Sequence, residues 1–169
     1  MMKKSFLAIL ILLFSYGCSE KPSLSLEMLK NIEYKGIYDK PVKLTDGTYE
    51  GEPFVEGGSS RESVHFVDSL TRFGDLNGDG INDAIVILLE NSGGSGVFIY
   101  MAVVLSQDEK AINVATKSLS DRTQIESISI NSKEIVLTLL THGPDDPMCC
   151  PSQKEIKKYE LEDGVLITR

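Results

Sequence analysis

Residues 84–89 read Ala84-Ile85-Val86-Ile87-Leu88-Leu89, six apolar side chains in succession. A strand wetted on one face alternates apolar and polar residues. A short unbroken run bounded by turn residues is the pattern of a strand covered on both faces. Residues 97–105 (VFIYMAVVL) repeat it. Between the two runs lies Asn91-Ser92-Gly93-Gly94-Ser95-Gly96, a flexible connection with no helical period. The pair predicts the buried centre of a sheet.

Further strands are expected on both sides of this pair. Toward the C-terminus, residues 112–116, 124–130 and 134–140 are separated by polar turns over 106–110, 118–122 and 131–133. Residues 155–161 and 165–168 form a final hairpin across Glu162-Asp163-Gly164. Toward the N-terminus, residues 42–45 and 48–50 read as a hairpin, because Asp46-Gly47 accepts the positive φ of a tight turn. Residues 56–61 are a loop, and 64–73 a strand with Val64 and Phe66 on one face. Residues 26–32 carry apolar side chains at 26, 28, 29 and 32 behind the cap residue Ser25, which predicts one short helix. The expected fold is mainly β (α+β): an antiparallel sheet or sandwich of eight or nine strands with one short N-terminal helix. Residues 26–169 make a single β-rich domain without internal repeats.

Composition agrees. The chain has 169 residues, 41% of them hydrophobic and 25% charged, which suits one globular domain and excludes a disordered chain. Its net charge is −8. An acidic chain without a basic stripe lacks the Lys/Arg neutralisation that nucleic acid requires, so no nucleic-acid partner is expected.

The N-terminus carries an address. Lys3 and Lys4 precede an apolar run over residues 6–14 (FLAILILLF), too short to span a bilayer but of signal-peptide length. Ser15-Tyr16-Gly17-Cys18 follows and resembles a bacterial lipobox, although Ser15 stands where Leu is usual. Residues 1–17 are expected to be a lipoprotein signal peptide, Cys18 the lipidated (palmitate-bearing) residue and 18–25 a tether. The membrane is then reached through a lipid anchor. The other reading is an ordinary secretory signal with an incidental cysteine. Ser19 in place of Asp favours the outer membrane, by analogy.

The stretch with most chemistry is Asp75-Leu76-Asn77-Gly78-Asp79-Gly80-Ile81-Asn82-Asp83. Oxygen side chains fall at relative positions 1, 3, 5 and 9, the Ile81 carbonyl at 7, and Gly80 at 6, where a calcium loop turns sharply. Such a loop wraps hard oxygens around a hard cation. Three aspartates about 5 Å apart repel pairwise by up to about 3 kcal/mol at an effective dielectric of 20, and a divalent ion reverses that sign. Position 12 is Val86 rather than a bidentate Glu, so this is no EF-hand. The loop is similar to those of FG-GAP repeats in integrin-type β-propellers, which bind Ca²⁺ between two strands. A propeller needs several copies, and one is present. Asp75, Asn77, Asp79, Ile81 and Asp83 are the expected ligands of a structural Ca²⁺; the alternative is a solvated turn without metal. With K_d about 0.1 mM and about 1 mM Ca²⁺, binding adds about 1.4 kcal/mol of stability.

If Cys18 is acylated, Cys149 and Cys150 remain, adjacent within His142-Gly143-Pro144-Asp145-Asp146-Pro147-Met148-Cys149-Cys150-Pro151-Ser152. Outside the cytoplasm such a pair tends to oxidise, within one chain as a vicinal disulfide or between two chains. Three prolines stiffen the segment. A thiol or transition-metal module on the pair is a rival reading, weakened because zinc ligands are normally spaced by two to four residues.

Catalysis finds little support. The histidines are His65 and His142. A Ser–His–Asp set can be drawn through Ser95, but no helix follows to build a nucleophile elbow. A hydrolase using the 91–96 and 141–152 loops is therefore the alternative, and no enzyme activity is expected.

Residues 74–84, 90–104, the Asp121-Arg122 turn and 141–153 together resemble a family of bacterial envelope lipoproteins with one FG-GAP-like loop. The Cys-Cys-Pro-Ser segment has a weaker similarity to LppP/LprE-type lipoproteins. The resemblance implies an exported, non-catalytic binding or structural module of the cell envelope with a protein or glycan partner.

Overall fold

The computed structural model describes residues 23–121, 123–147 and 149–169. The expected signal peptide, Cys18 and the start of the tether lie outside the described residues. The Ser25 side chain accepts the Met28 amide at 3.2 Å and so caps α1 (Leu26–Leu29), pairing one of the amides that a helix start leaves open. The helix stops short of residue 32. The Tyr34 hydroxyl donates to the Leu29 carbonyl at 2.8 Å, and the chain turns into β1 (Glu33–Tyr34).

β2 (Val42–Lys43), β3 (Thr48–Glu50) and β4 (Ser63–Phe66) follow. A 3-10 turn (Asp68–Leu70) leads to β5 (Arg72–Gly74), β6 (Asp83–Asn91) and β7 (Phe98–Gln107). β8 (Lys110–Asp121), β9 (Gln124–Asn131), β10 (Glu134–Thr141), β11 (Gln153–Glu162) and β12 (Val165–Thr168) complete the chain. Three antiparallel sheets result: β1-β2; β3-β4-β6-β7-β8 with β5 also beside β6; and β12-β11-β10-β9. The fold is mainly β with one short helix, and sandwich-like, as the sequence predicts.

The two apolar runs are central, and both their faces are covered from Ala84 to Leu88 and from Met101 to Leu105, whereas Val97 and Phe98 at the start of the second run are exposed. Ile85, Ile87, Met101 and Val103 join Ile128, Ile135, Leu137 and Leu139 of the four-stranded sheet in one core. Ala84, Val86, Leu88, Ala102 and Val104 face the other way, beneath Leu29, Tyr34, Val42 and Leu44. The N-terminal segment thus supplies the second cover that lets an antiparallel strand be apolar at every position.

Three local expectations are corrected. The Asp46-Gly47 turn exists, with φ of 49° and 80°, but β2 pairs with β1 and β3 with β4. Only a Thr45–Thr48 bridge closes the turn itself. The strand expected over 64–73 is two strands, β4 and β5, serving opposite ends of β6. The 3-10 turn between them sets Val67 and Leu70 against the first core. Over residues 118–121 the expected turn is instead the end of β8, with Leu119 buried; Arg122 lies outside the described residues.

Candidate functional site

The loop 75–82 is the tip of the β5–β6 hairpin, whose register pairs Phe73 with Ala84 and Gly74 with Asp83. Short polar side chains wind it. Asp75 accepts the Gly78 amide on Oδ1 at 2.5 Å and the Gly80 amide on Oδ2 at 3.0 Å. Asn77 Oδ1 accepts the Asp79 amide at 2.9 Å, and Asp79 Oδ1 accepts the Ile81 amide at 2.7 Å. The Asn77 side-chain amide donates to Asp79 Oδ2 at 2.9 Å. Gly78 and Gly80 adopt φ of 89° and 76°, the left-handed region where a side chain is strained. The Gly78 amide, aided by that of Gly80, holds the Asp75 carboxyl below the usual carboxylate range.

Asp83 is positioned differently. It is fully buried at the start of β6. Its Oδ2 accepts the Leu76 amide at 2.9 Å and its Oδ1 the Ser106 amide at 3.0 Å. One carboxyl therefore staples the loop to β6 and β6 to β7. Burial pushes its pKa up, opposed by the Ser106 and Leu76 hydrogen bonds.

Lys133 also reaches the loop, from the β9–β10 turn. Its Nζ donates to the Asn77 carbonyl at 3.0 Å and meets the space a Cβ on Gly78 would fill. Nothing in the local sequence signals this contact, because Lys133 is 56 residues away along the chain. Ser106 was equally hidden, since its amide rather than its side chain meets Asp83.

Asp75, Asn77, Asp79 and the Ile81 carbonyl are hard oxygen donors, the type Ca²⁺ requires. An oxygen that accepts one amide keeps a second lone pair, so the wound loop and a bound cation are chemically compatible. Among the described residues, no three His, Cys, Asp or Glu side chains form a group able to hold an ion. A site here therefore draws on Asn77 and a main-chain carbonyl besides its carboxylates.

Cys149 and Cys150 are exposed, and their sulfurs lie side by side with Cα atoms 3.8 Å apart. Asp146 organises their loop. It accepts the Gly143 amide at 2.8 Å, the Ser152 amide at 2.7 Å and the Ser152 hydroxyl at 2.6 Å. The Ser152 hydroxyl is the main cause of its lowered pKa. Among the described residues, none forms a hydrogen bond with the buried Nε2 of His142. A cavity of about 430 Å³ beside the 91–96 loop is lined by Asn91, Gly93, Arg61, Glu50 and Ser63, and its histidine is His65 rather than His142.

Comparison with protein-family models, curated proteins and solved structures finds no match to this chain.

Proposed function

We propose that this chain is an exported, lipid-anchored binding or structural module of the bacterial cell envelope, with Ca²⁺ as a structural ion and no catalytic role. The observation that supports it most is the wound 75–83 loop. Its oxygen side chains are folded onto its own amides, and its base is stapled through Asp83 to the central strands. An ion held by Asp75, Asn77, Asp79, the Ile81 carbonyl and Asp83 stiffens the hairpin that leads into β6. That is a structural task. With two carboxylates that are not buried and Lys133 nearby, the affinity belongs to the class of extracellular modules at about 0.1–1 mM.

The test is thermal unfolding in EDTA and after adding Ca²⁺. With about 1 mM Ca²⁺ and a Kd of about 0.1 mM, Tm rises by about 3–6 °C, the shift expected from about 1.4 kcal/mol in a chain of this size. Identical curves remove the ion from the proposal. Membrane fractionation tests the anchor: Cys18→Ser releases the protein, and unchanged partitioning refutes lipidation.

A further inference from the structure

A cleft of about 590 Å³ opens between the segment before β2 and the β3–β4 pair, and Tyr38, Asp39, Lys40, Tyr49 and Glu62 line it. The rings of Tyr38 and Tyr49 form a tilted pair, centroids 6.4 Å apart and planes at 51°. Behind Tyr38 stands Glu90, 2% exposed. Its Oε1 accepts the Tyr38 hydroxyl at 2.9 Å and the Ser92 hydroxyl at 2.6 Å. Among the described residues, no Lys or Arg forms an ion pair with Glu90 or Glu62.

A buried carboxylate is costly without a counter-charge, and the two hydroxyls supply only dipoles. Asp39 and Lys40 offset each other at the rim, so Glu62, with Glu90 behind it, sets the sign of the cleft. Burial, then the hydrogen bond to Glu90, keeps the Tyr38 phenol protonated far above neutral pH. It therefore stays a donor to Glu90 and presents a ring rather than a second anion. A ring face attracts a cation standing within about 6 Å of its centroid. At this spacing the two rings touch, so no cation enters between them, but one lying over the notch formed by their tilt stands within that range of both centroids.

We infer that the Tyr38–Tyr49 cleft is a recognition site for an organic ammonium group, seated over the notch of the two tilted rings with Glu62 as its counter-ion. Glu90 is a positioning residue: it fixes the Tyr38 ring and adds negative potential behind it. This inference rests on reading the chain as a binding module, and it uses none of the residues of the 75–83 loop.

The probe is choline chloride, compared with its uncharged carbon isostere dimethylbutanol. Calorimetry and intrinsic emission of the purified full chain are the readouts; the chain has no Trp, so its emission is tyrosine alone. Choline binds saturably and changes the emission, and the isostere binds at least about tenfold more weakly. Tyr49→Leu and Glu62→Gln each weaken choline about fivefold to tenfold, while Tyr49→Phe, which keeps the ring and guards against misfolding, does not. Equal binding of the isostere, no choline response, or indifference to Glu62→Gln overturns the inference. A chain that ignores choline but melts higher with Ca²⁺ loses this inference alone. One that binds choline but ignores Ca²⁺ loses only the ion.

Discussion

The Lys133 ammonium donates to the main-chain carbonyl of Asn77 at 3.0 Å, and so joins the β9–β10 turn of one sheet to the acidic hairpin tip of the other. Ser132 and Lys133 hold left-handed φ of 49° and 74° in that turn, and Lys133 adds its charge to the amides that hold Asp75 ionised. The acidic loop therefore has a cation from its own chain.

Lys133→Ala removes both the tether and the competing charge. Stability in EDTA falls by about 0.5–1 kcal/mol, the scale of one exposed charged hydrogen bond. Ca²⁺ affinity rises about twofold to threefold as the repulsion is lifted. Calorimetric titration against wild type checks this; weaker Ca²⁺ binding by the variant makes Lys133 a support of the site rather than a rival.

Asp83→Ala strands the Leu76 and Ser106 amides, both of which it pairs in a buried setting. The expected cost is about 2–4 kcal/mol. Asp79→Ala, at an exposed position, costs no more than about 1 kcal/mol. Urea unfolding in EDTA ranks the two; comparable losses contradict the staple.

A Cβ on Gly74 would lie 2.9 Å from Ile130 Cγ2, at the contact between β5 and β9. Gly74→Ala is expected to cost about 1–3 kcal/mol by overpacking. Adding Ile130→Ala restores part of it, so the pair couples favourably in a double-mutant cycle. Simple additivity shows that the two sheets do not press together there.

Asp146 is held below the usual carboxylate range, first by the Ser152 hydroxyl and then by the Gly143 amide. A carboxyl depressed in the folded state contributes stability above its unfolded pKa of about 3.9, and that contribution is lost as pH falls through the lower folded value. Amide exchange at Gly143 and Ser152 should accelerate across this acid window in wild type. Asp146→Asn should exchange fast at every pH; slow exchange in that variant refutes the carboxylate's role.

The centre of the fold was legible because the short apolar runs 84–89 and 97–105, bounded by turn residues, match strands covered twice, as Ala84–Leu88 and Met101–Leu105 are. The Asp46-Gly47 turn was legible for its φ angles, but not the partners of the strands it joins. Two-residue strands carry too little pattern to choose a neighbour, and packing over Ala84 and Val86 chose for them. In the 75–83 loop, spacing marks which oxygens sit close in the chain. It cannot show that Asp83 meets the Ser106 amide of β7, or that Lys133 arrives from another sheet, because both contacts are made by tertiary structure. The Tyr38–Glu90 pair was invisible for the same reason, its members standing 52 positions apart.

α1, β1 and β2 lie over Ala84, Val86, Leu88, Ala102 and Val104. They come first in the chain, yet everything they shelter is synthesised later. A nascent polypeptide leaving the ribosome amino end first shows Leu29, Tyr34 and Val42 to water before their partners exist. Closure of this cap must wait until at least Val104 has emerged, so these early elements stay uncovered until strands made later arrive beneath them.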